Sequence, residues 1–297
     1  MQESVSSLHA DPITRTFEGD LRLEGMVATL RHGILARMRA GALDLPLLPQ
    51  VAMKVLSLAS SGDADPKELA ELLKRDPSMT THVLRVVNAP FYRARTPIDS
   101  LEQATRRLGS VKVRQIALAI ACKQRVFKVR GFEPEVYKAF RHSLATALFA
   151  QEIAKALGAN LDEAFLAGLL HDVGRPVLLQ AVVDVQPDAR LLDAPAILAV
   201  VAELHTQVGG LLARKWNLPP RICEAIAGHH DRDLALPLVM LVSLADDVST
   251  AALEPERVPE IDPGAHWTLP YLKLTREALA GIIAQGSVVL ETLDAVV

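Results

Sequence analysis

The sequence predicts an all-α protein made of two consecutive helical blocks. Three observations carry that prediction. Half of the 297 residues are hydrophobic while aromatics are only 4%, so the apolar mass is Leu, Ala, Val and Ile, with few of the runs that build strands. Long apolar stretches repeat at helical spacing, which gathers their side chains on one face. Gly109, Gly158, Gly174 and the Leu218-Pro219-Pro220 turn punctuate those stretches as helix stops do.

Taken in order, residues 1 to about 16 are polar and are expected to be loose. A helix is expected over Leu21–Ala40, ending at Gly41, so that residues 1–43 form an N-terminal extension with one helix. Leu45-Pro46-Leu47-Leu48-Pro49 then makes a stiff connection, because each proline fixes its own φ and restricts its predecessor. Short amphipathic helices follow over Gln50–Ser60, Pro66–Lys74, Pro77–Asn88, Ser100–Leu108 and Val111–Cys122. Asp65 and Asp76 stand at cap positions before Pro66 and Pro77, which suit a first helical turn. These helices make up a first block, residues 44–133. A break at Val129–Glu133 opens the second block, 134–253, with helices expected at 134–157, 161–172, 176–181, 195–216, 219–229 and 236–253. Residues 254–297 are a proline-rich linker and a last helix over Leu274–Leu293. The apolar stripe of that helix (Leu279, Ile282, Ile283, Val288, Leu290) suits packing on the body or pairing with another chain.

Composition excludes several classes of function. A net charge of −3 and a pI near 6.3 give no case for nucleic-acid binding. Cys122 and Cys223 lie inside apolar helical patterns and are expected to be buried, reduced thiols of a cytoplasmic protein. The first residues lack a basic n-region and an apolar h-region, so no secretory signal is expected. The longest apolar runs, such as Leu236–Ala245, are expected to be too short and too interrupted for a membrane span.

Chemistry-bearing residues concentrate in the second block. Of nine histidines, His9, His32 and His82 fall early and the remaining six crowd the C-terminal half. His142 sits mid-helix between apolar neighbours. The pair His171-Asp172 falls in the last turn of its helix, His205 lies in another apolar helix, and His229-His230 closes a further one. Asp246 shares a helix face with Val239 and Val242, whereas Asp247 is expected to face solvent. Each has an ordinary explanation taken singly, as a satisfied core histidine or a surface pair. Together they are several helices each carrying a costly polar group, and one metal centre accounts for all of them. Imidazoles with two carboxylates suit a divalent transition metal (Mn, Fe, Ni or Zn) better than Mg or Ca. The basic stretch from Arg106 to Arg130 is expected to be a solvated face, and Trp216 to plug a helix corner.

The order His … His-Asp … His … His-His … Asp, with His171-Asp172-Val173-Gly174-Arg175 after Gly168-Leu169-Leu170, resembles the HD superfamily of metal-dependent phosphohydrolases. Leu45–Pro49, Arg75-Asp76-Pro77, Leu84–Ala89, Gln103-Ala104, Leu108-Gly109, Ala167–Gly174, Val208-Gly209 and Leu212–Pro219 resemble, more closely, the HDOD domain, an HD-related output domain of bacterial signalling proteins. The resemblance covers residues 44 to about 250. It implies an HD-type helical domain preceded by a second helical bundle, a regulatory role, a partner protein and pathways involving a nucleotide or cyclic dinucleotide. HDOD domains are generally not established enzymes, and many have lost ligands that this chain keeps. Carried over residue by residue, His142, His171, Asp172 and Asp246 would hold one ion. His205, His229 and His230 would serve a second, with Asp172 bridging. Arg175 stands where cyclic-di-GMP phosphodiesterases have a phosphate-contacting lysine, but their Gly-Tyr-Pro signature is missing after His230. Two functions follow: a signalling module with a retained metal site, or a metal-dependent phosphohydrolase.

Overall fold

The computed structural model describes residues 12–48, 53–54, 66–92, 96–185, 194–257 and 262–296. Its helices are α1 (Pro12–Arg39), α2 (Pro66–Lys74), α3 (Pro77–Val87), α4 (Leu101–Leu108), α5 (Ser110–Arg125), α6 (Glu133–Leu157) and α7 (Leu161–Leu170). They continue with α8 (Gly174–Val185), α9 (Ala194–Lys215), α10 (Pro220–Gly228), α11 (Pro237–Leu253), α12 (Leu269–Leu272), α13 (Arg276–Ile283) and α14 (Gly286–Val296). No strand occurs among the described residues. The helix expected at Gln50–Ser60 lies outside the described residues, apart from helical Met53 and Lys54.

Local chemistry sets most of these boundaries. Asp76 accepts the Met79 N–H at 3.0 Å ahead of α3. Asn160 accepts the N–H groups of Asp162 and Glu163 at 3.0 and 3.1 Å ahead of α7. Gly158 ends α6 in the left-handed region at φ 65°. Beyond α3, the Asn88 amide donates to the carbonyls of Leu84 and Ile98 and accepts the Ile98 N–H, closing the loop between α3 and α4.

Helices α2 to α5 pack on one another as a first bundle. Every residue of α5 from Val113 to Cys122 is buried, the mark of a central helix. Cys122 lies in that core, where burial pushes its thiol up to about 12, and both cysteines are free. The second bundle runs α6 to α11: α6 packs on α7 and α11, α8 on α9, and α9 on α10. Trp216 is buried at the end of α9, and its indole N–H donates to the Pro46 carbonyl at 2.9 Å. The stiff proline segment is thereby tied to the second bundle.

Four expectations need correction. First, α1 starts at Pro12 rather than near Leu21, because proline suits a first turn and a polar segment is helical at little cost once it extends a formed helix. It packs on α8 and α9, with Arg31 paired to Glu203 at 2.7 Å. Second, the single C-terminal helix is two, bent by 41° at Ala284–Gly286. The bend resets the register, so Leu279, Ile282, Val289 and Leu293 are buried while Ile283 and Val288 face outward. Both helices pack on α6. Third, Leu161–Val185 and Ala194–Lys215 do meet the length and hydropathy of a membrane span, but 83% and 61% of those stretches are buried inside the fold.

Fourth, Gly174 is not a stop. It is the first residue of α8, after a tight turn at 171–173. The reason for glycine is space: a Cβ there would lie 2.0 Å from the His205 carbonyl oxygen. That close approach of α8 and α9 brings Asp172 to His205. The Gly174→Ala variant is expected to lose at least about 2 kcal/mol of stability by forced overpacking, read as a lower urea midpoint. An unchanged midpoint would contradict this packing.

Candidate metal centre

Five segments deliver seven side chains to one place. His142 comes from α6, His171-Asp172 from the turn between α7 and α8, and His205 from α9. His229-His230 follows the end of α10, and Asp246 lies on α11. Close helix packing makes the meeting possible. A Cβ on Gly168 would sit 2.7 Å from the Ala147 Cα, so α6 and α7 approach tightly, and the rings of His142 and His171 come within 5.2 Å. His229 stands 4.9 Å from His171 and 5.4 Å from His205, ring to ring.

Three imidazoles are oriented in one way. The Nδ1 of His171 donates to the Gly168 carbonyl at 2.8 Å, that of His205 to Ala202 at 2.8 Å, and that of His229 to Ile226 at 3.0 Å. A carbonyl only accepts, so each Nδ1 carries the proton and each neutral ring turns an Nε2 lone pair inward. Those inward nitrogens meet acceptors. His171 Nε2 has no hydrogen-bond partner and lies 3.5 Å from Asp172 Oδ2 and 3.7 Å from Asp246 Oδ1. The Nε2 atoms of His205 and His229 face each other at 3.4 Å. Asp172 Oδ1 lies 3.3 and 3.8 Å from these two and has no hydrogen bond of its own.

Electrostatics sharpens the conflict. Burial holds His171 and His229 below the ordinary histidine value and His205 down to about 4, so all three are neutral. Burial pushes the Asp172 carboxyl up, but the Arg175 guanidinium bonded to it outweighs that and holds it well below the usual range. Burial also opposes ionisation of Asp246, and the hydrogen bond from His142 outweighs it. His142 is the exception among the rings. Burial opposes its charge, yet its 2.7 Å contact with Asp246 and the nearby Asp172 raise its pKa. Two buried carboxylates thus face three buried lone pairs. A divalent cation would satisfy all of them at once, and the nitrogen and oxygen donor set is of the kind that suits Mn, Fe, Ni or Zn.

Three groupings have ligand atoms within 4.8 Å of one another: His142 with His171 and Asp172, His171 with His229 and Asp246, and His205 with His229 and His230. All seven predicted residues are therefore together. Compared with the expected partition, His229 can face either side of the centre. His230 stands at the rim, 52% exposed, with Nδ1 3.9 Å from Asp246 Oδ2. Arg175 donates its Nε to Asp172 Oδ2 at 2.5 Å, and its Nη groups carry no hydrogen bond to a described residue.

Some of the surroundings had no signal in the sequence. Ser249 Oγ donates to the Asp246 carbonyl, lies 3.3 Å from His142 Nδ1 and contacts Thr146 Oγ1 at 2.7 Å. It orients the His142 ring, which has no backbone carbonyl at its Nδ1. His266, in the stretch expected to be linker, is buried with its Nε2 3.4 Å from Asp247 Oδ2. Asp247 is therefore not simply solvent-facing. The basic stretch is not one solvated face either, since Arg114 is buried and paired with Asp162 at 2.5 Å.

Comparison with known proteins bears on family and fold. The HDOD domain profile matches residues 45–232. Ribonuclease Y of Geotalea uraniireducens (strain Rf4) is 30% identical over 154 residues, 46% of this chain and 26% of that protein. The chain spans less than half the length of the curated relatives it matches. An HDOD domain protein of unknown function from Geobacter sulfurreducens matches in structure at TM-score 0.64 and 24% identity, over 92% of this chain and 97% of that one. A Shewanella amazonensis SB2B protein, provisionally assigned as a metal-dependent phosphohydrolase, matches at TM-score 0.64 and 19% identity, over 92% and 98%. At these identities the structural likeness is one of fold.

The three neutral histidines predict acid lability of the metal-free chain. Their unfolded-state pKa is about 6.5, and the folded state resists the proton down to about 4 at His205. Stability from these groups is flat above about pH 6.5 and falls between about 6.5 and 4, by up to about 1.4 kcal/mol per pH unit for each proton taken up. His142 has the opposite sign, and its contribution fades only as pH rises above 6.5 through its raised pKa. Urea midpoints of metal-stripped protein at pH 7.5 and 5.0 should therefore differ clearly, and equal midpoints would contradict the assignment.

Proposed function

The chain belongs to the HDOD domain family, and from that premise we propose a signal-transduction module organised around a divalent transition-metal centre. One observation carries the reading. The ligands come from α6, the α7–α8 turn, α9, the end of α10 and α11, so one or two ions would cross-link five segments of the second bundle. Gain or loss of such an ion changes the stability of the whole bundle by mass action. The module would present the resulting state to a regulatory partner protein. In this reading His171, Asp172, His205, His229 and Asp246 form the buried body of the centre, with His142 and His230 at its edge.

A second reading, metal-dependent phosphohydrolysis of a nucleotide or cyclic dinucleotide, is favoured by the rim. His230, His142 and Arg175 are the parts of the centre that reach solvent, at 52%, 21% and 31% side-chain exposure. A bound divalent ion would supply Lewis-acid polarisation of a phosphoryl oxygen. Arg175 has its Nε committed to Asp172 and two Nη groups left to grip phosphate. His230 and Ser249-buttressed His142 would border the same opening.

The two readings separate in one pair of measurements. Added Mn or Zn is expected to raise the melting temperature of the metal-stripped parent protein and not of the His171→Ala/Asp172→Ala variant. Incubation with cyclic-di-GMP, pGpG and a generic phosphodiester in the presence of Mn is expected to give no turnover. Hydrolysis abolished in that variant would establish the second reading instead, and a melting temperature of the metal-stripped parent that added metal leaves unchanged would remove both.

A further inference from the structure

Between the two bundles lies a feature that the metal centre does not use. α5 ends at Arg125, the chain turns through 126–132, and α6 begins at Glu133. The corner encloses a cavity of about 610 Å³. Its floor is apolar: Phe127 and Phe140 meet edge to face at 5.3 Å, and both are buried. Tyr137 stands in the wall, 48% exposed. Its rim is cationic, with Lys123, Lys128 and Arg130. Lys123 Nζ stands 5.9 Å over the Phe140 ring. Burial, and then the like charge of Arg85, lower the pKa of that ammonium. The acid that lines the cavity, Glu133, accepts the Gly131 N–H with both oxygens at 3.0 Å.

In a chain of net charge −3, three cations around an aromatic floor are a local inversion of the overall sign. The converse molecule is a flat ring carrying a compact anion. Ring faces and edges suit Tyr137 and the phenylalanine pair, and phosphate oxygens suit lysine and arginine donors. The volume is that of a small-ligand site. We propose that this cavity binds a nucleoside phosphate, with the base against the aromatic wall and the phosphate between Lys123, Lys128 and Arg130. The site is separate from the metal centre. Phe140 and His142 are two residues apart on α6 and so point about 200° apart around its axis. The cavity touches α5 of the first bundle and, through Gln180, α8 of the second. An occupant would bridge the two.

The test is calorimetric titration of the full chain with AMP and GMP, and in separate runs with adenosine, guanosine and inorganic phosphate. Saturable binding of a nucleotide is expected, with nucleoside and phosphate each at least about tenfold weaker because each makes only half of the contacts. Lys128→Glu/Arg130→Glu, both exposed positions, is expected to weaken binding at least about tenfold with an unchanged melting temperature. The His171→Ala/Asp172→Ala variant is expected to bind as the parent does, which keeps this site distinct from the centre. Absence of saturable binding would overturn the proposal. So would affinity unaffected by the charge reversals, affinity lost in the centre variant, or phosphate alone binding as tightly as nucleotide.

Discussion

Asp172 is the constraint on which the second bundle turns. Its carboxylate is buried, it is ionised, and one of its oxygens lacks a hydrogen bond although two imidazole nitrogens stand within 3.8 Å. An uncompensated carboxylate in such a place costs several kcal/mol. Arg175 compensates one oxygen. The other oxygen and the inward nitrogens of His171, His205 and His229 are left to repel one another unless a cation stands between them. The fold around them is arranged to hold this conflict rather than to relax it. Backbone carbonyls fix three ring tautomers, Ser249 fixes a fourth ring, and Gly168 and Gly174 let the helices close to the required distance.

The same arrangement links fold to function. A structural core of this size, with Phe140, Phe149, Leu169 and Leu170 fully buried, does not need a polar centre for its stability. Replacing buried polar groups by apolar ones is often neutral or stabilising. Such a costly centre is what a cation site would require. Its candidate ligands are spread over five segments rather than gathered in one loop, so a bound ion would tie α6, the α7–α8 turn, α9, the end of α10 and α11 together. α14 packs on both α5 and α6, and Trp216 holds the Pro46 segment. The two bundles thus share a boundary through which a change in one can reach the other.

Much of this was legible in the sequence. The helices follow from aliphatic periodicity and from punctuation at Asp76, Gly109 and Gly158. The seven candidate ligands, which the fold brings together, stand in the sequence as histidines and acids among apolar neighbours where lone polar groups are expensive. What was not legible depended on approach between distant segments. Gly174 looks like a helix stop until His205 is seen 2.0 Å from where its Cβ would be. The bend at Ala284–Gly286 leaves a continuous-looking apolar stripe and shows only in the register of burial. Ser249 and His266 carry no local pattern, since their roles come from Asp246, His142 and Asp247 on other turns. The corner cavity joins the end of the basic stretch to Tyr137 and Phe140 of α6 and Gln180 of α8, a meeting that no local pattern announces.

The central claim is that buried donors of the second bundle surround a cation. Elemental analysis of the purified parent protein beside the His171→Ala/Asp172→Ala variant tests it most directly. Transition metal near one or two ions per chain in the parent, and little in the variant, is the result that this account predicts. Equal metal content in the two proteins would contradict it.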